Sequence, residues 1–169
     1  MKVVISSSFR KHLQGILDLK NELEKRGITV LKPDKIQTVD NPDRLDFVKF
    51  EGEESLPQLY LKMQYLKAIE KSDAHIIYNQ DSYIGRNATF ELYWAEFNQK
   101  TIYLLEKPDL TKMINMSGVT EEWKKEDIAW FYYYLLDRIE KATIIVGIEQ
   151  LYKDFNIEEP KIAEIDRWK

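Results

Sequence analysis

Residues 81–108, DSYIGRNATFELYWAEFNQKTIYLLEKP, decide the fold of this chain. A polar turn that contains Gly85 leads into a segment with helical patterning, and the apolar run at 101–105 is typical of a buried strand. A second such run, at 74–78, lies in front of the turn. A loop and a helix start at the carboxyl end of a parallel strand are where open α/β sheets bind ligands. The stretch therefore predicts a fold class and the position of a binding site.

The rest of the sequence continues this alternation of strands and helices. We predict strands around Val3, Val4 and Ile5, at 28–31 and at 143–146, and helices at 12–26, 56–71, about 87–98, 121–141 and 148–155. The segment 33–56 is polar and weakly patterned, so we expect a long loop there. The sum predicts one α/β domain over residues 1–169, a five-stranded parallel sheet with helices on both faces.

Bulk composition excludes several classes of protein. A net charge of −4 argues against a nucleic-acid partner, which favours a basic face. The chain has no cysteine, so disulfides and cysteine-ligated zinc are excluded. No apolar run approaches the roughly 20 residues that a membrane helix needs, and the amino terminus resembles a core strand rather than a signal peptide. We therefore expect a cytoplasmic protein without a membrane partner.

Glu91 is the first candidate for chemistry, because it follows the polar turn near the expected start of a helix. There the helix dipole would stabilise its anion. An ionised carboxylate beside a sugar can attack the anomeric carbon and form a covalent glycosyl-enzyme. An acidic residue in an early helical turn is also common for purely structural reasons, and this alternative stays open.

Two further polar groups lie where strands end. Ser6, Ser7, Ser8, Phe9 and Arg10 follow the first strand, and their hydroxyls, amides and guanidinium suit a phosphate or a ribose hydroxyl, although a plain serine cap is an equal alternative. Asp81 shares the loop of Gly85 and is either an acid, a base or a sugar ligand, or an ordinary turn residue.

The remaining candidates have structural interpretations. His12 and His75 are isolated without metal-ligand spacing, and His75 lies inside a strand as a packed core residue would. We expect neither a metal nor a cofactor. The aromatic helix at 121–141 contains Trp123, Trp130 and three consecutive tyrosines, of which at least one must be exposed. It predicts either a wall for a flat base or a contact between copies of the chain, and we favour a homodimer or larger homo-oligomer.

The order of elements and several motifs resemble the nucleoside 2-deoxyribosyltransferase family. The motifs are the polar set after the first strand, Ser72-Asp73 before the third strand, Phe90-Glu91-Leu92 through Ala95, Lys100 with a strand ending at Pro108, and residues 150–157 of the tail. The resemblance implies a flavodoxin-like domain, usually oligomeric, that cleaves the N-glycosidic bond of a nucleoside or nucleoside monophosphate. It implies that Glu91 is the nucleophile of a retaining double displacement.

The chain departs from the family pattern at three positions. Tyr65 and Gly85 stand where many members have aspartates, and Asn87-Ala88 replaces the usual Gly-Thr before the glutamate. Either Tyr65 or Asp81 would then have to serve as the proton relay. The site expected from the resemblance comprises Glu91 and Asp81 as catalytic residues, with substrate-binding residues Ser6, Ser7, Ser8, Phe9, Arg10, Tyr65, Gly85 and Asn87.

Two other functions remain open from the sequence. The first is a non-catalytic nucleotide-binding or sensing module on the same fold, since a fold does not fix a function. The second is an interaction protein whose aromatic helix binds a different chain. Loss of turnover on substitution of Glu91 would favour the enzyme, and ligand binding without release of free base would favour the sensing module.

Overall fold

The computed structural model describes residues 1–35, 37–39, 48–117 and 124–158. The strands in this part of the chain are β1 (Lys2–Ser7), β2 (Thr29–Lys32), β3 (Thr38–Val39), β4 (Lys49–Phe50), β5 (Ala74–Tyr78), β6 (Thr101–Leu104) and β7 (Ile144–Val146). The helices are α1 (Phe9–Lys25), α2 (Gln58–Lys71), α3 (Arg86–Phe97), α4 (Leu110–Ser117), α5 (Lys125–Glu140) and α6 (Ile148–Asp154). A 3₁₀ turn covers Gln80–Ser82.

Five of the strands form one parallel sheet in the order β2-β1-β5-β6-β7. This confirms the predicted five-stranded parallel α/β sheet, and its strand order is that of a flavodoxin-like fold. After β1 the chain forms β2 on one side of β1, and it later returns to form β5 on the other side. The order therefore reverses between β1 and β5, which is the position at which open α/β sheets bind ligands, in a crevice outside the carboxyl ends of the strands.

Two separate cores cover the faces of the sheet. One face packs against α1 and α6, which contribute Ile16, Leu23 and Leu151 to its core. The other packs against α2, α3, α4 and α5. Successive side chains of a strand point to opposite faces, so Val3 and Ile5 lie in the first core while Val4 lies in the second. Ser6 and His75 alternate with these residues and face the same side as Val4.

Helix α3 sits over the sheet because of its apolar spacing. Ala88, Leu92 and Ala95 recur at helical intervals and are essentially fully buried. Glu91 follows Ala88 by three positions, which puts it on the border of the same stripe. The helix therefore presents this carboxyl group toward the sheet and α2 rather than toward solvent.

The structure differs from the sequence-based prediction in two segments. The expected loop at 33–56 contains the antiparallel pair β3–β4, because two-residue strands leave no periodic signal in a sequence. Helix α4 was not expected between β6 and α5. Trp123, the rest of 118–123 and the tail from residue 159 lie outside the described residues. None of the described helices combines the length and apolar character that crossing a bilayer requires.

Candidate active site

A small set of side chains comes together at the strand-order reversal, around the carboxyl end of β1. Ser6 comes from the end of β1, and His75 comes from β5 beside it. Glu91 belongs to α3 and Tyr65 to α2, and the two side chains lie in the same region. These four side chains belong to four different elements, so they come together only when the chain folds.

Glu91 has an environment that strongly disfavours its charged form. The residue is partly exposed, yet burial of its carboxyl group raises the pKa from its ordinary 4.5 to about 7. The Ser6 hydroxyl and the positive charge of Lys62 act in the opposite direction and lower the pKa. A carboxyl group of this kind is about half ionised at neutral pH. Strongly perturbed carboxyl groups in clefts are candidates for catalysis.

The expectation that the helix dipole stabilises the Glu91 anion is wrong. The helix begins at Arg86 and has no acidic residue in its first turn. Glu91 therefore lies in the second turn, beyond the reach of the dipole effect. Desolvation against α2 and the sheet dominates instead, and it favours the neutral form of the carboxyl group.

Ser6 links Glu91 to a buried histidine. Its hydroxyl lowers the pKa of the Glu91 carboxyl group, and its Oγ is 2.7 Å from Nε2 of His75. Both Ser6 and His75 are completely buried. Burial lowers the pKa of His75 to about 3, so the imidazole is neutral near pH 7. His75 is the core residue that the sequence predicts, but it also has a polar partner next to the candidate nucleophile.

Aromatic rings form a wall of the crevice. Phe9 packs edge-on against Tyr65 and Phe50, with ring centroids 6.2 and 5.8 Å apart respectively. The Tyr65 hydroxyl is buried, and no other described residue forms a hydrogen bond with it. Burial raises the pKa of this phenol well above its ordinary value, and the negative charge of Glu91 adds to the effect. Tyr65 is therefore a neutral donor close to Glu91 with an unused proton.

Charged side chains gather on the far side of Tyr65. Lys32 Nζ lies 5.9 Å from the centre of the Tyr65 ring. It is 2.8 Å from an Asp34 oxygen and 3.9 Å from a Glu53 oxygen. Glu53 also accepts a hydrogen bond from the Phe50 amide at 3.0 Å, which fixes the turn after β4. The β3–β4 pair thus adds an apolar ring and a carboxylate to the rim of the crevice.

Ser7, Ser8 and Gly85, three other residues predicted to bind the substrate, lie in different positions. Ser7 faces the opposite side of the sheet from Ser6, and its hydroxyl donates to the Tyr78 carbonyl at 2.6 Å. Ser8 caps α1 and Gly85 caps α3, neither through a side-chain hydrogen bond. A Cβ on Gly85 would come within 3.5 Å of the Ser8 Cβ. The amino-terminal ends of the two helices are therefore neighbours.

Arg10 and Asn87 lie in the first turns of these two helices. Arg10 is exposed in α1, and Asn87 is partly exposed in α3. Both positions are close to the adjoining helix ends where free backbone N–H groups suit an anion. The predicted binding roles of these two residues stay predictions.

Asp81 belongs to a different cluster from Glu91. It lies in the turn after β5 with a φ of 57°, a conformation that aspartate tolerates better than most residues. Its negative charge acts on His12, whose pKa is lowered by burial, and on Tyr78. Tyr78 faces the core under α1, on the other side of the sheet from Glu91. The structure therefore groups Asp81 with α1, and its catalytic role stays a prediction.

Asn79 holds the loop after β5 in position. It is fully buried, its Nδ2 donates to the Glu106 carbonyl at 2.8 Å, and its Oδ1 accepts from the Glu106 amide at 3.0 Å. The Ser82 amide and hydroxyl bond the same segment through the Glu106 carboxylate and the Lys107 carbonyl. These bonds tie the loops after β5 and β6 together and fix where α3 begins.

A groove of about 560 Å³ lies away from Glu91, between α3 and α5. It is lined mainly by aromatic rings, including Tyr93, Trp130 and Tyr134, with Asp127 and Asp137 at its margin. Both of these aspartates are exposed, so we assign the candidate chemistry to the strand-order reversal, where the Glu91 carboxyl group is buried. Among the described residues, no three His, Asp or Glu side chains converge as metal ligands.

The sequence identified Glu91, Ser6, Phe9 and Tyr65 but missed how they are connected. His75 was expected only as a core residue, since nothing in its neighbourhood signals a partner 69 positions away. Phe50 was missed because it lies in a segment without periodicity. The available signal was a histidine inside one apolar strand and a serine at the end of another.

No family model matches the chain, and no curated protein matches it in sequence. Among solved structures, the fold is similar to that of a CMP N-glycosidase, BcmB, from Clostridium botulinum. The two share 13% sequence identity with a TM-score of 0.47, over 92% of this chain and 98% of the other. A likeness at this level assigns no activity to the chain.

Proposed function

We propose that this protein is an enzyme that cleaves the N-glycosidic bond of a nucleoside or nucleoside monophosphate, with Glu91 as the nucleophile. The observation that carries the proposal is the desolvated carboxyl group of Glu91, which lies at the ligand-binding reversal of the sheet with Ser6 beside it. A carboxyl group kept out of water without a cationic partner in contact costs stability. Such a cost is typical of functional sites.

The proposed reaction uses one carboxylate twice. A Glu91 oxygen attacks C1′ of the sugar while the bond from C1′ to the base nitrogen breaks, and the base leaves with its bonding electrons and takes up a proton. The glycosyl ester on Glu91 is then attacked at C1′ by water, which gives hydrolysis, or by a second base, which gives transfer. Two displacements at the same carbon retain its configuration.

Tyr65 is the proposed proton donor to the leaving base. Its hydroxyl is buried, has no partner in the described part of the chain and lies close to Glu91. Tyr65 also occupies the position where many members of the resembled family have an aspartate. Phe9 and Phe50 extend an aromatic surface from the Tyr65 ring. Stacking of a planar base on such a surface is favourable. The two features together support a substrate with a purine or pyrimidine base.

The amino-terminal ends of α1 and α3 are the proposed subsite for a phosphate or a sugar hydroxyl. Ser8 and Gly85 lie side by side there, and neither caps its helix with a side chain. Free N–H groups at two adjacent helix ends favour a negative charge. Arg10 lies two positions beyond Ser8 and adds positive charge at the same end.

The test is a panel of nucleosides and nucleoside monophosphates, incubated with the protein in the presence and absence of an acceptor base. Chromatography measures free base and exchanged nucleoside. We expect base release by the wild-type chain and a loss of at least about 10³-fold in Glu91→Gln, which removes the nucleophile and keeps the shape of the side chain. Exchange only with an acceptor identifies a transferase, and release without one identifies a hydrolase.

The matched control is Glu70→Gln, an equivalent substitution at an exposed position of α2. It should leave base release unchanged. Equal turnover by Glu91→Gln and the wild-type chain would refute the role of Glu91.

A non-catalytic nucleotide-binding or sensing module is the second candidate. The observation in its favour is that the negative charge of Asp81 acts on His12 and Tyr78, on the other side of the sheet from Glu91. Calorimetric binding of a nucleotide without any release of base would favour this function over the enzyme.

We also propose that copies of the chain associate through the outer surface of α2, α3 and α5. Among the described residues, the exposed large apolar side chains lie on these three helices, with Phe155 as the exception; they are Leu59, Tyr60, Met63, Phe90, Tyr93, Phe97, Trp130 and Tyr133. Exposed apolar side chains concentrated on a few helices are typical of protein interfaces. A homodimer or larger homo-oligomer would cover it.

A further inference from the structure

We propose that His75 is a positioning residue for Glu91: its Nε2–H group holds the Ser6 oxygen, so that the Ser6 proton points at the Glu91 carboxylate. The inference deepens the proposed function, since it concerns the residue proposed as nucleophile. It assigns a role to a buried histidine that does not itself touch the substrate.

The register of the sheet makes this contact possible. Val4 is opposite His75 and Ser6 is opposite Ile77 in the parallel pair β1–β5. The side chains of Ser6 and His75 therefore lie on the same face of the sheet in diagonal positions. The imidazole reaches along the strands to the hydroxyl, and the distance of 2.7 Å from Nε2 to Oγ is that of a good hydrogen bond.

The direction of the hydrogen bond follows from the position of Ser6 between His75 and Glu91. Nδ1 of His75 is buried without a partner among the described residues, so it is unsatisfied both as a donor and as an acceptor and does not choose the tautomer. A proton on Nδ1 would make Nε2 the acceptor that faces Ser6. It would also turn the Ser6 proton toward Nε2 and leave the Ser6 lone pairs facing an ionised Glu91. The arrangement that satisfies the hydroxyl and the carboxylate together has the proton on Nε2.

His75 acts as a neutral donor rather than as an acid or a base. It is completely buried, and its pKa is far below neutrality. The groups that face Glu91 are Ser6 from β1, and Lys62 and Tyr65 from α2. Lys62 favours the ionised carboxylate through its charge, whereas Ser6 favours it through a hydrogen bond whose direction His75 sets.

The test is a titration of the Glu91 carboxyl group in the full-length protein without substrate. Carbon-13 NMR of glutamate labelled at the side-chain carboxyl carbon follows the midpoint, and Glu91→Gln assigns the signal. We expect the Ser6→Ala midpoint to rise by roughly one pH unit above the wild-type value, because the carboxylate loses a donor. His75→Leu should move the midpoint in the same direction.

Two further variants separate positioning from packing. His75→Gln places an amide N–H group near the position of Nε2 and should keep the wild-type midpoint, whereas His75→Asn places it near Nδ1 and should behave like Ser6→Ala. The double variant Ser6→Ala/His75→Leu should titrate as Ser6→Ala alone, since His75 acts through Ser6. If His75→Leu does not fold, the Gln and Asn pair answers the same question.

A wild-type midpoint in His75→Asn or His75→Leu, with the fold intact by circular dichroism, would overturn the proposal. Shifts from Ser6 and His75 that add in the double variant would also overturn it. The titration needs no turnover, so its failure is distinguishable from failure of the proposed function. Where base release is observed, the acid limb of its pH profile should move with the NMR midpoint, and kcat should fall more than KM rises.

Discussion

Replacement of Glu91 by glutamine should stabilise the protein, and the gain should depend on pH. Burial raises the pKa of the folded carboxyl group from 4.5 to about 7. Below pH 4.5 the group is protonated in the folded and unfolded chains alike. It therefore adds no pH dependence to the free energy of unfolding. As the pH rises from 4.5 to 7, the unfolded chain releases its proton first, so ionisation favours unfolding.

The size of the effect follows from the same shift. One pKa unit corresponds to about 1.4 kcal/mol, so the rise from 4.5 to about 7 corresponds to about 3 kcal/mol at pH 8. Glutamine keeps the shape of the side chain and carries no charge at any pH. We therefore expect Glu91→Gln to exceed the wild-type free energy of unfolding by up to about 3 kcal/mol at pH 8 and by far less at pH 4.5.

Urea unfolding followed by circular dichroism at pH 4.5, 6 and 8 measures the difference in the free energy of unfolding between Glu91→Gln and the wild-type chain. Glu70→Gln serves as the control, because an exposed carboxylate should give little difference at any pH. A constant difference between Glu91→Gln and the wild-type chain across this range would refute the reasoning, as would a loss of stability at pH 8. The stabilisation and the loss of turnover should occur in the same variant.

Three other substitutions test separate parts of the structure. Tyr65→Phe removes a buried hydroxyl without a partner, so Tm should stay equal or rise, while base release should slow by about 10²-fold; a lower Tm or unchanged turnover contradicts this. Asn79→Ala breaks two hydrogen bonds to Glu106 and should lower the free energy of urea unfolding by about 2–4 kcal/mol; a loss under ~0.5 kcal/mol would show that the loops are held otherwise. Trp130→Glu puts a charge on a side chain that is 77% exposed on α5 and should reduce the molar mass by light scattering to that of one chain; a wild-type chain that is already monomeric rules out the proposed association.

The sheet could be predicted from sequence because each of its elements has a local signal. The β-branched run Val3-Val4-Ile5 and the apolar run at 74–78 are continuous, as expected for strands covered on both faces. The β3–β4 pair had no such signal, because two residues are too few to display a period. The short strands at the rim of the site therefore could not be predicted from the polar segment that contains them.

The site could be predicted only in part. The position of Glu91 follows from a local motif, but its pKa depends on how closely α2 and the sheet enclose it, which no local pattern encodes. His75 has the apolar neighbours of any core strand residue, and its partner Ser6 is fixed by the β1–β5 register. Asp81 shared a loop with Gly85 in the sequence, yet the 3₁₀ turn directs its charge to His12.

The most direct test of the account is a search for a covalent sugar on Glu91. The protein is incubated with nucleosides whose 2′ position carries fluorine, which slows the second displacement more than formation of the ester when the leaving base is good. Intact-mass and peptide mass spectrometry then locate the adduct. The account predicts one glycosyl group on the peptide that contains Glu91, formed with equal release of base and absent in Glu91→Gln. Base release with no adduct on this peptide, or an adduct that persists in Glu91→Gln, would contradict it.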